Sequence, residues 1–151
     1  MSAYYFDTSG LLKRYVVESG TTWVLGITNP QNAHDIFISQ ITSVEIISGI
    51  SRLKRDNVIS AADAQTAETL IERHVRRQYK VISFTSHIAQ TAKRLLKTHP
   101  LRAFDAIQLA SALEANARLM NAGLQPLIFV SADKRLLAAA TPEGLQTHYP
   151  I

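Results

Sequence analysis

The sequence predicts an α/β fold with a central, mainly parallel sheet. Two observations carry that expectation. Short apolar runs of the kind that form buried strands alternate along the chain with helical segments of roughly 10–20 residues, as in successive strand–helix–strand units. The chain of 151 residues also shows no internal repeat and no linker, so residues 1–151 read as one domain.

The elements follow in order. Tyr4-Tyr5-Phe6 is a first strand ending at Asp7, and Leu11–Val17 reads as a helix. Glu18-Ser19-Gly20 interrupts it, and a second helix runs through Trp23, Leu25 and Ile27 to the Asn29-Pro30 stop. Asp35–Ser39 is the second strand, and Thr42 starts a helix carrying Val44, Ile46, Ile47, Ile50 and Leu53. A long amphipathic helix spans about Ser60 to Arg77. Lys80–Phe84 reads as the third strand, followed by a helix that ends at His99-Pro100. Arg102–Asn121 is a helix apolar on nearly all sides, stopped by Asn121-Ala122-Gly123. Leu127–Val130 is the clearest strand, a short helix begins near Asp133, and Leu145–Tyr149 supplies a last edge strand.

Composition narrows the function classes. The chain has no cysteine, which excludes disulfides and thiolate metal sites and fits a reducing compartment. Its first residues lack the basic start and apolar run of a secretory signal, and no apolar stretch approaches the roughly 20 residues that span a bilayer. The expected location is the cytoplasm. A formal charge of +4 favours polyanionic partners such as nucleic acid. The basic residues cluster at Arg52, Lys54 and Arg55, at Arg73, Arg76, Arg77 and Lys80, and at Lys93, Arg94 and Lys97. Solvated helix faces would produce the same clusters, so charge alone decides nothing.

The positions of the 12 acidic residues say more. Asp7 directly follows the first strand, Glu45 lies in the first turn of the helix after the second, and Asp133 lies just beyond the strand that ends at Val130. Parallel strands all point one way, so these acids share the carboxyl edge of the sheet, where α/β folds bind ligands. Asp105 instead heads an apolar helical stripe through Leu101, Leu109 and Leu113, where an unpaired carboxylate is costly.

Each acid has an innocent reading. Asp7 and Asp133 can be helix N-caps, Thr42 and Glu45 can form a capping box, and Asp105 can serve the helix dipole. The set is harder to dismiss. Carboxylates ~4 Å apart repel by about 4 kcal/mol at an effective dielectric of about 20, so a shared pocket needs a cation or raised pKa values. Mg²⁺ or Mn²⁺, which prefer oxygen ligands, would resolve the conflict. Zinc fits less well, with no cysteine and no paired-histidine spacing. Such a pocket in a basic protein points to phosphodiester chemistry. The metal would activate water, orient the phosphate and stabilise the departing oxygen, while basic flanks hold the backbone.

Tyr5-Phe6-Asp7-Thr8-Ser9, Thr42-Ser43-Val44-Glu45, Leu101–Ala110 and Phe129-Val130-Ser131-Ala132-Asp133 together resemble the PIN-domain nucleases, particularly the VapC toxins of toxin–antitoxin pairs. The resemblance spans the chain in the right order with no acidic position missing. It implies a three-layer α/β/α sandwich with strand order 3-2-1-4-5, Mg²⁺- or Mn²⁺-dependent endoribonuclease activity, homodimerisation and inhibition by a small antitoxin. The catalytic and metal-binding role passes to Asp7, Glu45, Asp105 and Asp133 only. Thr8 and Ser131 stand open between supporting those acids and capping helices locally.

Other residues receive no role in the chemistry. Tyr4, Tyr5, Phe84 and Phe129 are assigned to the core rather than to base stacking, and the five histidines lie near no obvious partner. The alternative is a catalytically weak RNA-binding or regulatory module of the same fold, which gains nothing from clustered negative charge. A signalling receiver would need its acceptor Asp after the third strand, where Phe84-Thr85-Ser86 stands, and an aspartyl-phosphate phosphatase would want an acid where Ser9 stands. Both fit poorly.

Overall fold

A computed structural model describes all of residues 1–151. Five strands, β1 (Ala3–Phe6), β2 (Asp35–Ser39), β3 (Lys80–Ile82), β4 (Ile128–Val130) and β5 (Gln146–His148), form one sheet in the order β3-β2-β1-β4-β5. Every pairing is parallel, which makes the expected 3-2-1-4-5 sheet wholly parallel. The central strand, β1, sets Tyr5 beside Phe37 on one side and Phe129 on the other.

Successive residues of a strand point to opposite faces, so a run buried throughout needs cover on both. Tyr4 and Phe6 enter one core with Ile36, Ile38 and Val130, closed by Leu11, Val24, Ile46, Ile50 and Ile71. Tyr5 enters the other with Phe37 and Phe129, closed by Ile88, Leu95, Leu109 and Leu136. The cover comes from α1 (Thr8–Leu12), α2 (Thr21–Thr28), α3 (Thr42–Arg55) and α4 (Ala61–Arg77) on the first face, and from α5 (Ser86–Thr98), α6 (Ala103–Asn121) and α7 (Lys134–Ala140) on the second. These are the three layers. No helix is long and apolar enough to cross a membrane.

The helices start where local chemistry starts them. The hydroxyls of Ser60 and Thr85 accept the amides of Asp63 and Ile88 and open α4 and α5. The first helix differs from its expected span. Asp7 caps it at once, so it covers Thr8–Leu12 rather than Leu11–Val17. The chain then turns, because Lys13 Nζ reaches the carbonyl of Ser19 and the Thr21 hydroxyl donates to the carbonyl of Lys13. β3 stops at Ile82, two residues before the expected end, and leaves Phe84 about half exposed. Phe84 is therefore not a core residue, whereas Tyr4, Tyr5 and Phe129 are.

Candidate active site

Asp7, the residue after β1, is 4% exposed. Its backbone N–H donates to the carbonyl of Val130 at 3.1 Å and extends the central ladder by one bond. Its carboxylate accepts the Gly10 amide at 2.8 Å on Oδ1 and the Ser131 hydroxyl at 2.6 Å on Oδ2, and the Ser9 hydroxyl contacts both oxygens. A Cβ on Gly10 would stand 3.0 Å from the carbonyl of Val130 and 3.3 Å from Asp7 Oδ1, so the close seating of α1 against β4 favours glycine there. Burial raises the Asp7 pKa to about 6 despite those three hydrogen bonds, and the Asp105 charge pushes the same way.

Glu45, in the first turn of α3, accepts the Thr8 hydroxyl at 2.7 Å and the Gln108 amide at 2.9 Å, both on Oε1. The capping box that Thr42 and Glu45 could have formed is absent. Thr42 lies inside the helix, fully buried, and its hydroxyl oxygen accepts from Gln108 at 3.0 Å. Thr8 supports Glu45 rather than capping a helix. Ser131 does two things, donating to Asp7 and accepting the Asp133 amide at 3.0 Å.

Asp105 lies half-buried in the first turn of α6. Burial raises its pKa, the charges of Asp133 and Glu45 add to the shift, and the Arg102 amide and guanidinium oppose it. Asp133 is the N-cap of α7, taking the amides of Arg135 and Leu136 on Oδ1. The four acids thus feel one another: Asp105 acts on Asp7, and Asp133 and Glu45 act on Asp105. None of them belongs to any of the salt bridges in the protein.

The side chains nevertheless do not close on a common point. No three acidic or histidine side chains are gathered tightly enough to ligate one ion. The reason is visible in their partners. Asp7 is turned to Ser9, Gly10 and Ser131, Glu45 to Thr8 and Gln108, and Asp133 to its own helix amides. What the fold brings within electrostatic reach of one another is a set of carboxylates that no salt bridge neutralises, with the Arg102 guanidinium acting on Asp105 alone. The donor chemistry, all carboxylate oxygen, suits Mg²⁺ or Mn²⁺.

Beside Glu45 opens a cleft of about 430 Å³ lined by Thr8, Ile41, Val44, Ser48, Arg52 and Phe104. Of the basic clusters, Arg52 alone reaches this cleft. The histidines lie elsewhere but do have partners. Tyr15 bonds His74 at 2.7 Å, His99 bonds Glu143 at 2.7 Å, His34 accepts the Ser2 amide and His148 stacks on Trp23.

Ser9, Gln108 and Phe104 were not singled out by the sequence reading. Gln108 carried a signal, since an amide in an otherwise apolar helical stripe must find buried partners. Ser9 and Phe104 carried none beyond their place in the quoted motifs, two residues after Asp7 and one before Asp105.

The family model described as PIN domain matches residues 4–141. Solved structures similar to the chain include VapBC2 from Rickettsia felis bound to a DNA fragment from its promoter, at 13% identity over 97% of this chain and 98% of that one, with TM-score 0.65. FitAcB from Neisseria gonorrhoeae is 14% identical over 97% of each chain, with TM-score 0.64. DNA-bound VapBC from Salmonella typhimurium is 16% identical over 100% of each, with TM-score 0.62. At such identities the likeness is one of fold. No curated protein matches the sequence.

Proposed function

The chain belongs to the PIN domain family, and on that premise we propose that it is a Mg²⁺- or Mn²⁺-dependent endoribonuclease, the toxin of a toxin–antitoxin pair. What supports this reading is the group of four carboxylates that act on one another electrostatically and are unneutralised by any salt bridge. In a basic protein such an arrangement costs stability unless a cation joins it.

In this reading Asp7, Glu45, Asp105 and Asp133 would hold the cation. When bound, it supplies Lewis-acid polarisation of a phosphodiester and relief of the charge that develops during its hydrolysis. The protein's own residues orient the parts. Ser9, Gly10 and Ser131 keep Asp7 ionised and immobile against its burial, and Thr8 and Gln108 fix Glu45. Asp105 and Asp133 would complete the set of acids around the ion, the chemistry expected of the bound ion is attack of water in line with the departing 3′-oxygen, and Arg52, which lines the cleft beside Glu45, would hold the RNA backbone. The VapBC complexes among the similar structures support a cognate antitoxin as partner. Homodimerisation, action in the cytoplasm and operation of residues 1–151 as one unit complete the proposal.

A nuclease-free preparation incubated with single-stranded RNA tests it. Cleavage is expected with Mg²⁺ or Mn²⁺, is lost with EDTA, and falls at least about 100-fold in Asp105→Asn, since metal-centred charge stabilisation is worth several kcal/mol. Full activity in EDTA would overturn the metal. RNA binding without any cleavage would favour the alternative, a catalytically weak RNA-binding module, which the open spacing of the carboxylates also suits.

A further inference from the structure

Gln108 is the one large polar side chain buried in α6, at 2% exposure, three residues on from Asp105. Its amide is fully engaged. Nε2 approaches Glu45 Oε1 at 2.9 Å, Thr42 Oγ1 at 3.0 Å and Thr8 Oγ1 at 3.1 Å, and Oε1 accepts the Tyr5 hydroxyl at 2.7 Å. The orientation of that amide follows from chemistry. An ionised Glu45 can only accept, so the amide must turn its N–H groups to Glu45 and its carbonyl to Tyr5.

Tyr5 is a rigid anchor for the arrangement. It is fully buried in the central strand and stacked on Phe129 with ring centroids 5.6 Å apart. Thr8 donates to the same oxygen of Glu45 that Gln108 does, so Oε1 receives two hydrogen bonds and Oε2 none. No buried polar side-chain atom of the protein lacks a partner, so Oε2 reaches solvent.

We propose that Tyr5 and Gln108 are positioning residues: through them the core of the sheet locks Oε1 of Glu45 and leaves Oε2 as the single oxygen offered to a divalent cation. The inference rests on the reading of Glu45 as a cation ligand given above. It also gives a function to the open spacing of the acids, because a carboxylate held by one oxygen keeps its direction before the ion arrives.

Mn²⁺ titration followed by electron paramagnetic resonance, on the wild type, Gln108→Leu, Tyr5→Phe and Glu45→Gln, tests this apart from activity. Circular dichroism checks the folding of each. Gln108→Leu and Tyr5→Phe are expected to weaken Mn²⁺ binding about 10- to 100-fold, as loss of an outer-shell partner does. Glu45→Gln should weaken it at least as much. Tyr5→Phe keeps its ring in the core and carries the test by itself if Gln108→Leu fails to fold. Wild-type affinity in folded Tyr5→Phe, with Glu45→Gln weakened, would reduce the pair to packing and overturn the inference. Wild-type affinity in Glu45→Gln would instead remove Glu45 as a ligand, and with it both this inference and that part of the proposed function.

Discussion

Replacing Asp7 by Asn is expected to stabilise the protein and inactivate it at once. The folded pKa of Asp7 is raised from 3.8 to about 6, chiefly by burial. Below the ordinary carboxylate range both folded and unfolded chains are protonated, and no penalty is present. As pH rises from about 4 to about 6 the unfolded chain ionises first, so the folded state loses stability over that window. Above it the penalty is constant, of the order of 3 kcal/mol at about 1.4 kcal/mol per pKa unit. Asn cannot ionise, keeps an acceptor for the Gly10 amide, and has no such penalty. Thermal unfolding at pH 7.5 should therefore show Asp7→Asn melting several degrees above the wild type, with the gap closing near pH 4. RNA cleavage should fall at least about 100-fold, because a ligand to the proposed ion is gone. A variant that cuts normally would remove Asp7 from the chemistry, and one that melts lower at pH 7.5 would show that its hydrogen bonds outweigh its burial.

Mg²⁺ or Mn²⁺ is expected to raise the melting temperature of the wild type, since an ion that binds only the folded chain stabilises it by mass action. At 100 times its dissociation constant the gain is about 2.7 kcal/mol, and for a chain of this size that corresponds to roughly 5–10 °C. The effect should be larger at pH 7.5 than at pH 5. Protons compete with the ion for Asp7, titrating at about 6, and for Asp105, whose pKa is also raised. In Asp7→Asn the metal-dependent rise should largely vanish. Differential scanning fluorimetry with and without EDTA measures all three quantities, and a wild-type melting temperature indifferent to both metals would count against a cation site.

Much of the architecture could be read from residue pattern alone, and for a definite reason. Strands such as Asp35–Ser39 and Ile128–Val130 are buried on both faces, so they appear as continuous apolar runs, and the parallel sheet requires helices between them. The acids were legible by position, each at a strand end or helix start. Their partners were not, because those partners arrive from far along the chain. Gln108 reaches Glu45 across 63 residues and Thr42 across 66, and Ser131 reaches Asp7 across 124. The Thr42–Glu45 capping box failed for the same reason. Its spacing was right, but Ile41 rather than Thr42 stands at the N-cap, the Gln108 amide holds the Thr42 hydroxyl oxygen, and the Thr8 hydroxyl holds Oε1 of Glu45. The first helix was misplaced because a long-range turn around Lys13 and Thr21 overrode the local apolar periodicity of Leu11–Val17. Phe84 was misassigned because its strand ends two residues before it.

Diffraction from crystals soaked in MnCl₂, with data collected to reveal anomalous scattering, tests the central claim most directly. The account requires a manganese peak within coordination distance of at least three of Asp7, Glu45, Asp105 and Asp133, with Oε2 as the contact from Glu45. Crystals that bind manganese only elsewhere, or leave these carboxylates on Ser9, Thr8 and the α7 amides with no ion between them at saturating metal, would contradict it.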